Sequence, residues 1–114
     1  MKNIILIIVF SLLPLMSFSQ NMCDEDICVV EFNAGFNKAN SVEWLDKLGD
    51  CGVMRVDIQK SPELQKKYNI VVVPTIIVFN GKEVERFQAN IMMAMEATRK
   101  DVQGVIDEII MSDF

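Results

Sequence analysis

Val73-Pro74-Thr75-Ile76-Ile77-Val78-Phe79-Asn80-Gly81-Lys82 is the stretch on which the reading of this 114-residue chain turns. Thr75 to Phe79 is a short run of β-branched and aromatic residues, the composition of a strand. Asn80-Gly81 follows it directly. That pair is the strongest short-range hairpin signal, because the favoured two-residue turn needs positive φ at its centre. Val84 to Phe87 then supplies the returning strand, and Val73-Pro74-Thr75 is the turn that leads into the first.

Working outward, the same kind of punctuation divides the rest of the chain. Ile27 to Asn33 is a nearly continuous apolar run interrupted by Glu31, as in a strand buried on both faces. Ala34-Gly35 breaks it. Asn40 is placed to cap a helix, with Glu43 three residues on, Val42, Leu45 and Leu48 at helical spacing, and Gly49 as the stop. Val53 to Ile58 reads as a second strand. Ser61-Pro62-Glu63 opens another helix with a capping serine, proline at the first position and an acid in the first turn. Leu64 and Tyr68 mark its buried side, and Asn69 suits a left-handed end. Thr98-x-x-Asp101 is a capping box ahead of Val102, Val105, Ile106, Ile109 and Ile110, an amphipathic stripe. The order is β-α-β-α-β-β-α. Strands joined through a helix are parallel with a right-handed crossover, and the last two form an antiparallel hairpin. The expected fold class is α/β: a four-stranded mixed sheet with flanking helices.

The first nineteen residues are of another kind. Lys2, an apolar stretch from Ile4 to Leu13 and the small-x-small pattern Ser17-Phe18-Ser19 read as a secretory signal peptide over residues 1–19, leaving one domain over 20–114. The apolar stretch is shorter than the roughly 20 residues of a spanning helix and ends at Pro14. The expectation is therefore an exported protein, periplasmic or secreted, with no stable membrane anchor after cleavage. No small residue directly precedes Cys23, which gives no support to a lipid-anchored cysteine. Of the 11 basic residues, loss of Lys2 leaves 10 against 16 acids, so the net charge moves from −5 to −6. That acidic balance, without a basic cluster, argues against a nucleic-acid partner. The absence of histidine excludes histidine-dependent triads and zinc sites with histidine ligands.

The residues together resemble the thioredoxin family over Ile27 to Ile110. Val29-Val30-Glu31-Phe32 is similar to the family's central strand with its buried acid, and Val56-Asp57-Ile58 to the end of the next strand. Tyr68-Asn69-Ile70 followed by Val73-Pro74-Thr75 is similar to the approach to the family's cis-proline, and Asn80-Gly81-Lys82 to its hairpin. The resemblance implies a cis bond at Pro74. The family's longer N-terminal strand and helix have no counterpart. The chemistry has none either, because the window that holds Cys-x-x-Cys in the family reads Asn37-Lys38-Ala39-Asn40. Dithiol exchange needs a thiolate and a second, resolving thiol, and an asparagine amide supplies neither. Asn37 and Asn40 are read as structural, a polar loop residue and a helix cap. Glu31, deprived of a thiol partner, is read as a structural or leftover acid bonded to a lysine or water.

Cys23, Cys28 and Cys51 do not restore the dithiol. Cys28 begins the first strand and Asn37 lies beyond its end, roughly 16 Å away at about 3.3 Å per residue. Cys51 precedes the parallel second strand, at the same pole as Cys28. An odd count in an oxidising compartment leaves one thiol over. The expected pairing is Cys23–Cys51, with Cys28 a buried thiol; Cys28–Cys51 and Cys23–Cys28 are the alternatives. A loop of the preferred length contributes about 3 kcal/mol in the chain-entropy picture.

What remains for function is binding. The family holds extended peptide through the backbone of the residue before its cis-proline, which implies a peptide site at Phe36, Val73, Pro74 and Thr75, bordered by Met92 in the methionine-rich stretch Ile91 to Met95. Thioether side chains repack readily around apolar partners, although the same residues also suit a covered sheet edge or the start of the last helix. The expected function is a redox-inactive module, without catalytic residues or cofactor, that binds a peptide or protein of the cell envelope. Two alternatives are an atypical thiol oxidoreductase using a non-motif cysteine, and a Cu(I) site on Met92, Met93 and Met95 built on soft ligands.

Overall fold

The computed structural model describes residues 22–112. The expected signal segment and its cleavage point lie outside the described residues. Strand β1 (Cys28–Asn33) is flanked by β2 (Gly52–Asp57) and by β3 (Thr75–Phe79), which is followed by β4 (Glu83–Gln88). The sheet order is β2-β1-β3-β4. β1 and β2 are parallel, with Glu31 opposite Arg55, while β1–β3 and β3–β4 are antiparallel. The architecture is thioredoxin-like, as the sequence predicts. Gly81 takes the positive φ of 83° that the hairpin requires.

Period-two alternation along β1 and β3 divides the core into two layers. Val30, Phe32, Ile77 and Phe79 face one side, where Tyr68 packs between the rings of Phe32 and Phe79 with centroids 5.6 and 5.3 Å away. Helix α1 (Pro62–Lys67) covers this layer through Leu64. Val29, Ile76 and Val78 face the other side, closed by Leu45, Leu48 and by Val102, Ile106 and Ile109 of helix α2 (Arg99–Ser112). A fully buried side chain of this size contributes about 2 kcal/mol, so β1, buried throughout, anchors both layers.

Helix ends follow local chemistry in part. The box ahead of α2 forms: Thr98 N–H donates to Asp101 Oδ2 at 2.8 Å, and Asp101 N–H to Thr98 Oγ1 at 3.2 Å. Asn69 ends α1 at φ 53°. Ser61 holds the N-cap position without a side-chain cap bond, contrary to its expected capping role. Arg86 of β4 donates to the carbonyls of Tyr68 and Asn69 at 2.7 and 3.1 Å, satisfying acceptors left over at the end of α1.

The expected α-helix capped by Asn40 does not form. Two 3-10 segments, Gly35–Asn40 and Glu43–Lys47, stand in its place, separated by extended backbone at Ser41 and Val42. The cause is buried polar chemistry. Glu31, 2 % exposed, accepts Val42 N–H at 2.7 Å, and Arg55 donates to Val42 carbonyl oxygen at 2.9 Å while pairing with Glu31. These bonds hold Val42 in extended backbone (ψ 108°), which breaks the helix, and its carbonyl oxygen also accepts Leu45 N–H at 3.4 Å to open the second segment.

The cysteines also depart from expectation. The disulfide joins Cys23 to Cys28, and Cys51 is the free thiol. Gly52 is opposite Cys28 in the ladder, so its neighbour Cys51 is directed to the other face of the sheet. There it packs with the α2 layer, whereas Cys23 packs with the α1 layer. A loop spanning a sequence separation of 5 is short. On the chain-entropy relation, Cys23→Ala should lower the unfolding free energy by about 2 kcal/mol, read from the denaturant midpoint; an unchanged midpoint would show that the bond adds nothing to stability.

Candidate functional site

The C-terminal end of β1, the turn before β3 and the loop after β4 meet at one pole. The Val73-Pro74 peptide bond there is cis. Thr75 is fully buried and its hydroxyl donates to Val72 carbonyl oxygen at 2.7 Å, tightening the turn. Asn37 sits against this turn and is only 5 % exposed, so it is not a polar loop residue at the surface.

Its carboxamide is the junction of the site. Asn37 Nδ2 donates to Asn33 Oδ1 at 3.1 Å and to Met93 carbonyl oxygen at 3.1 Å, with Val73 carbonyl oxygen at the long limit of 3.5 Å. Asn40 Nδ2 donates to Asn37 Oδ1 at 2.9 Å. Asn33 completes the cluster by donating to Asn37 carbonyl oxygen and to Ser41 Oγ, each at 3.2 Å. Asn40 is therefore a partner of Asn37 rather than a helix cap. Asn33, the last residue of β1, carries a role that the strand pattern alone does not show.

The methionine-rich stretch is folded onto this junction. Asn90 Oδ1 accepts the backbone N–H of Met92 at 2.8 Å and of Ala94 at 3.2 Å, while Met93 N–H donates to Asn90 carbonyl oxygen at 2.9 Å. Met93 adopts a φ of 62°, uncommon for a side chain of its kind. That turn aims the Met93 carbonyl at Asn37. An Asn that bonds its own backbone two residues on is a recognisable turn former, and this is the signal that could have identified Asn90 from sequence.

Beside the junction opens an apolar groove of about 400 Å³, lined by Phe36, Val71, Val73, Ile91 and Met93 among others. Phe36 and Val73 are brought together as expected. Met92 is 74 % exposed and does not line the groove; Ile91, 97 % exposed, and Met93 take that place. Val71, 72 % exposed, also belongs to the rim. Met95 packs with the α2 layer, apart from Met92 and Met93. Glu31 lies on the α2 side of the sheet, where its partners are Arg55 and Val42 rather than a lysine.

The cysteines occupy the opposite end of β1. Burial first, then the charges of Asp50 and Glu25, push the Cys51 thiol up to about 11. It is protonated at neutral pH and a poor nucleophile. No group of histidine, cysteine, aspartate and glutamate capable of holding a metal occurs among the described residues. No described helix is long and apolar enough to cross a membrane.

No family model matches the chain, and no curated protein sequence matches it. Solved structures do. The N21Q mutant thioredoxin of Halobacterium salinarum is 20 % identical, with 82 % of each chain covered and a TM-score of 0.59. Schistosoma mansoni thioredoxin is 25 % identical over 88 % of this chain and 85 % of its own, with a TM-score of 0.56. Oxidised thioredoxin from Plasmodium falciparum is 21 % identical over 81 % and 85 %, with a TM-score of 0.52. The chain thus has the thioredoxin-like fold.

Removing the Asn37 carboxamide takes the donor from the buried Asn33 Oδ1 and breaks the part-buried bonds to the Met93 carbonyl and the Asn40 amide. Asn37→Ala should therefore lower the unfolding free energy by about 2 kcal/mol, the cost of unpaired buried polar groups. An unchanged urea midpoint would mean that the cluster is not holding the pole together.

Proposed function

We propose that this chain is an exported, redox-inactive binding module that holds extended, apolar peptide segments of cell-envelope proteins in the groove beside Pro74. The observation that carries the reading is the open groove with its apolar rim. Phe36, Val71 and Ile91 are 68, 72 and 97 % exposed around one cleft, and clustered exposed apolar side chains mark interaction surfaces. An extended segment laid across a turn bonds through its main chain and places alternate side chains in the cleft. Export rests on the composition of residues 1–19.

The redox-inactive part rests on Asn37 and Asn40. The position from which a thiol would act is filled by a carboxamide hydrogen-bonded to Met93 and Asn33. The Cys23–Cys28 disulfide keeps an oxidoreductase reading in view, but it lies at the far pole, and its only free neighbour is the protonated Cys51. A Cu(I) site gains nothing from Met95, which packs in the core layer.

An array of short unstructured peptides, probed with the purified protein, should retain it on spots rich in leucine, isoleucine and phenylalanine. Phe36→Asp and Ile91→Asp, both at exposed positions, should weaken binding at least about tenfold, equivalent to 1.4 kcal/mol. Equal binding by both variants would contradict the groove as the site. Insulin reduction above the buffer rate would contradict redox inactivity separately.

A further inference from the structure

A second cavity, of about 250 Å³, opens at the carboxyl end of the parallel strands β1 and β2. It shares only Ala34 with the lining of the peptide groove. Strand register builds one wall of it. Glu31 is opposite Arg55 and Asn33 is opposite Asp57, so these four side chains share one face of the sheet in two rows. Lys38 and Ser41 line the same cavity from the broken helical segment, where the backbone turns extended at Ser41.

The four charged side chains around this space fall into two kinds. Glu31 and Arg55 pair with each other, and Arg55 is further engaged by Asp46 and by Val42 carbonyl oxygen. Lys38 and Asp57 carry opposite charges, and neither forms an ion pair among the described residues. Asp57 Oδ1 accepts Gln59 N–H at 2.9 Å, while Oδ2 has no hydrogen bond among the described residues. Gly35 leaves that oxygen uncovered, since a Cβ there would stand 3.5 Å from it. Ser41 Oγ accepts Asn33 Nδ2 at 3.2 Å, and its hydroxyl proton is left to donate.

We propose that this cavity binds a free α-amino acid, held as a zwitterion between Lys38 and Asp57. The ligand carboxylate meets the Lys38 ammonium and the Ser41 hydroxyl, and the ligand ammonium meets Asp57 Oδ2. Two opposite charges that line one cavity and do not neutralise each other match a ligand carrying both. An anion alone would face the Asp57 carboxylate, and a cation alone would face Lys38; like charges disfavour either. The Glu31–Arg55 pair stays intact as a neutral wall. Size points the same way, because drug-sized ligands occupy pockets from roughly 300 Å³ upward. So does position, since open α/β sheets take ligands outside the carboxyl ends of their strands.

The test is a titration of the isotope-labelled purified protein with glycine, L-alanine and L-glutamine in turn. Backbone amide shifts of Gly35, Lys38, Ser41 and Asp57 report the cavity, and those of Val71 and Ile91 report the groove. A saturable shift of the cavity amides is expected, with the groove amides unmoved. Acetate and methylamine, each bearing one of the two charges, should bind at least about tenfold more weakly. Lys38→Met and Asp57→Asn should each weaken amino-acid binding by a similar factor. Lys38 is exposed, and asparagine keeps the oxygen that accepts Gln59 N–H, so neither change removes a contact of the fold. The proposal is overturned if none of the three amino acids shifts the cavity amides saturably. It is equally overturned if acetate or methylamine binds as tightly as the amino acids, or if either variant binds them as the wild type does. The comparison with acetate and methylamine uses the wild-type chain and does not depend on a variant folding.

Discussion

One buried carboxamide organises the pole at which the cis-proline turn and the apolar groove meet. Asn37 connects the end of β1 through Asn33, the cis-proline turn through Val73, and the loop after β4 through Met93. These segments are far apart in sequence. A side chain that both donates and accepts can join them in a way that a thiol, with its weak hydrogen bonding, does not. The Asn37 carboxamide is therefore a latch between these three segments. Met93 is drawn against Asn37 through its carbonyl oxygen, and it also lines the apolar groove beside them.

The second constraint is the Glu31–Arg55 pair under the same pole. A buried carboxylate is costly unless paired and hydrogen-bonded. Glu31 is satisfied by Arg55 and by Val42 N–H, and the price is the helix that would otherwise run from Asn40. The acid is thus a shaping element for the segment that carries Asn37 and Phe36. Reading it as a residue left over from lost redox chemistry underestimates it.

Much of the fold was legible in the sequence, because it is written in local signals. Thr75 to Phe79, Asn80-Gly81, and the Thr98–Asp101 box all report structure within a few residues of themselves. The broken helix was not legible. Its pattern of Val42, Leu45 and Leu48 is a sound helical period, and what overrides it is a contact with Glu31 and Arg55, neither of them local. The disulfide failed for a related reason: parallel pairing put Cys28 and Cys51 at one pole, but the face to which each side chain points depends on register. In the candidate site, Phe36, Val73 and Asn37 were placed together by the resemblance. Asn33 carries no local signal, since an asparagine at a strand end is silent until its partners are known; Asn90 is marked only by its capacity to form a turn with its own backbone.

Asn37 latches the Asn90–Ala94 loop onto the end of β1 and the cis-proline turn. Amide hydrogen exchange of Met93 and Ala94 tests it most directly, since their N–H groups are bonded to Asn90 within that loop. Exchange should be slow in the wild-type protein and fast at these two amides in Asn37→Ala, with β1 amides still protected. Equal protection of the loop in both proteins would contradict it.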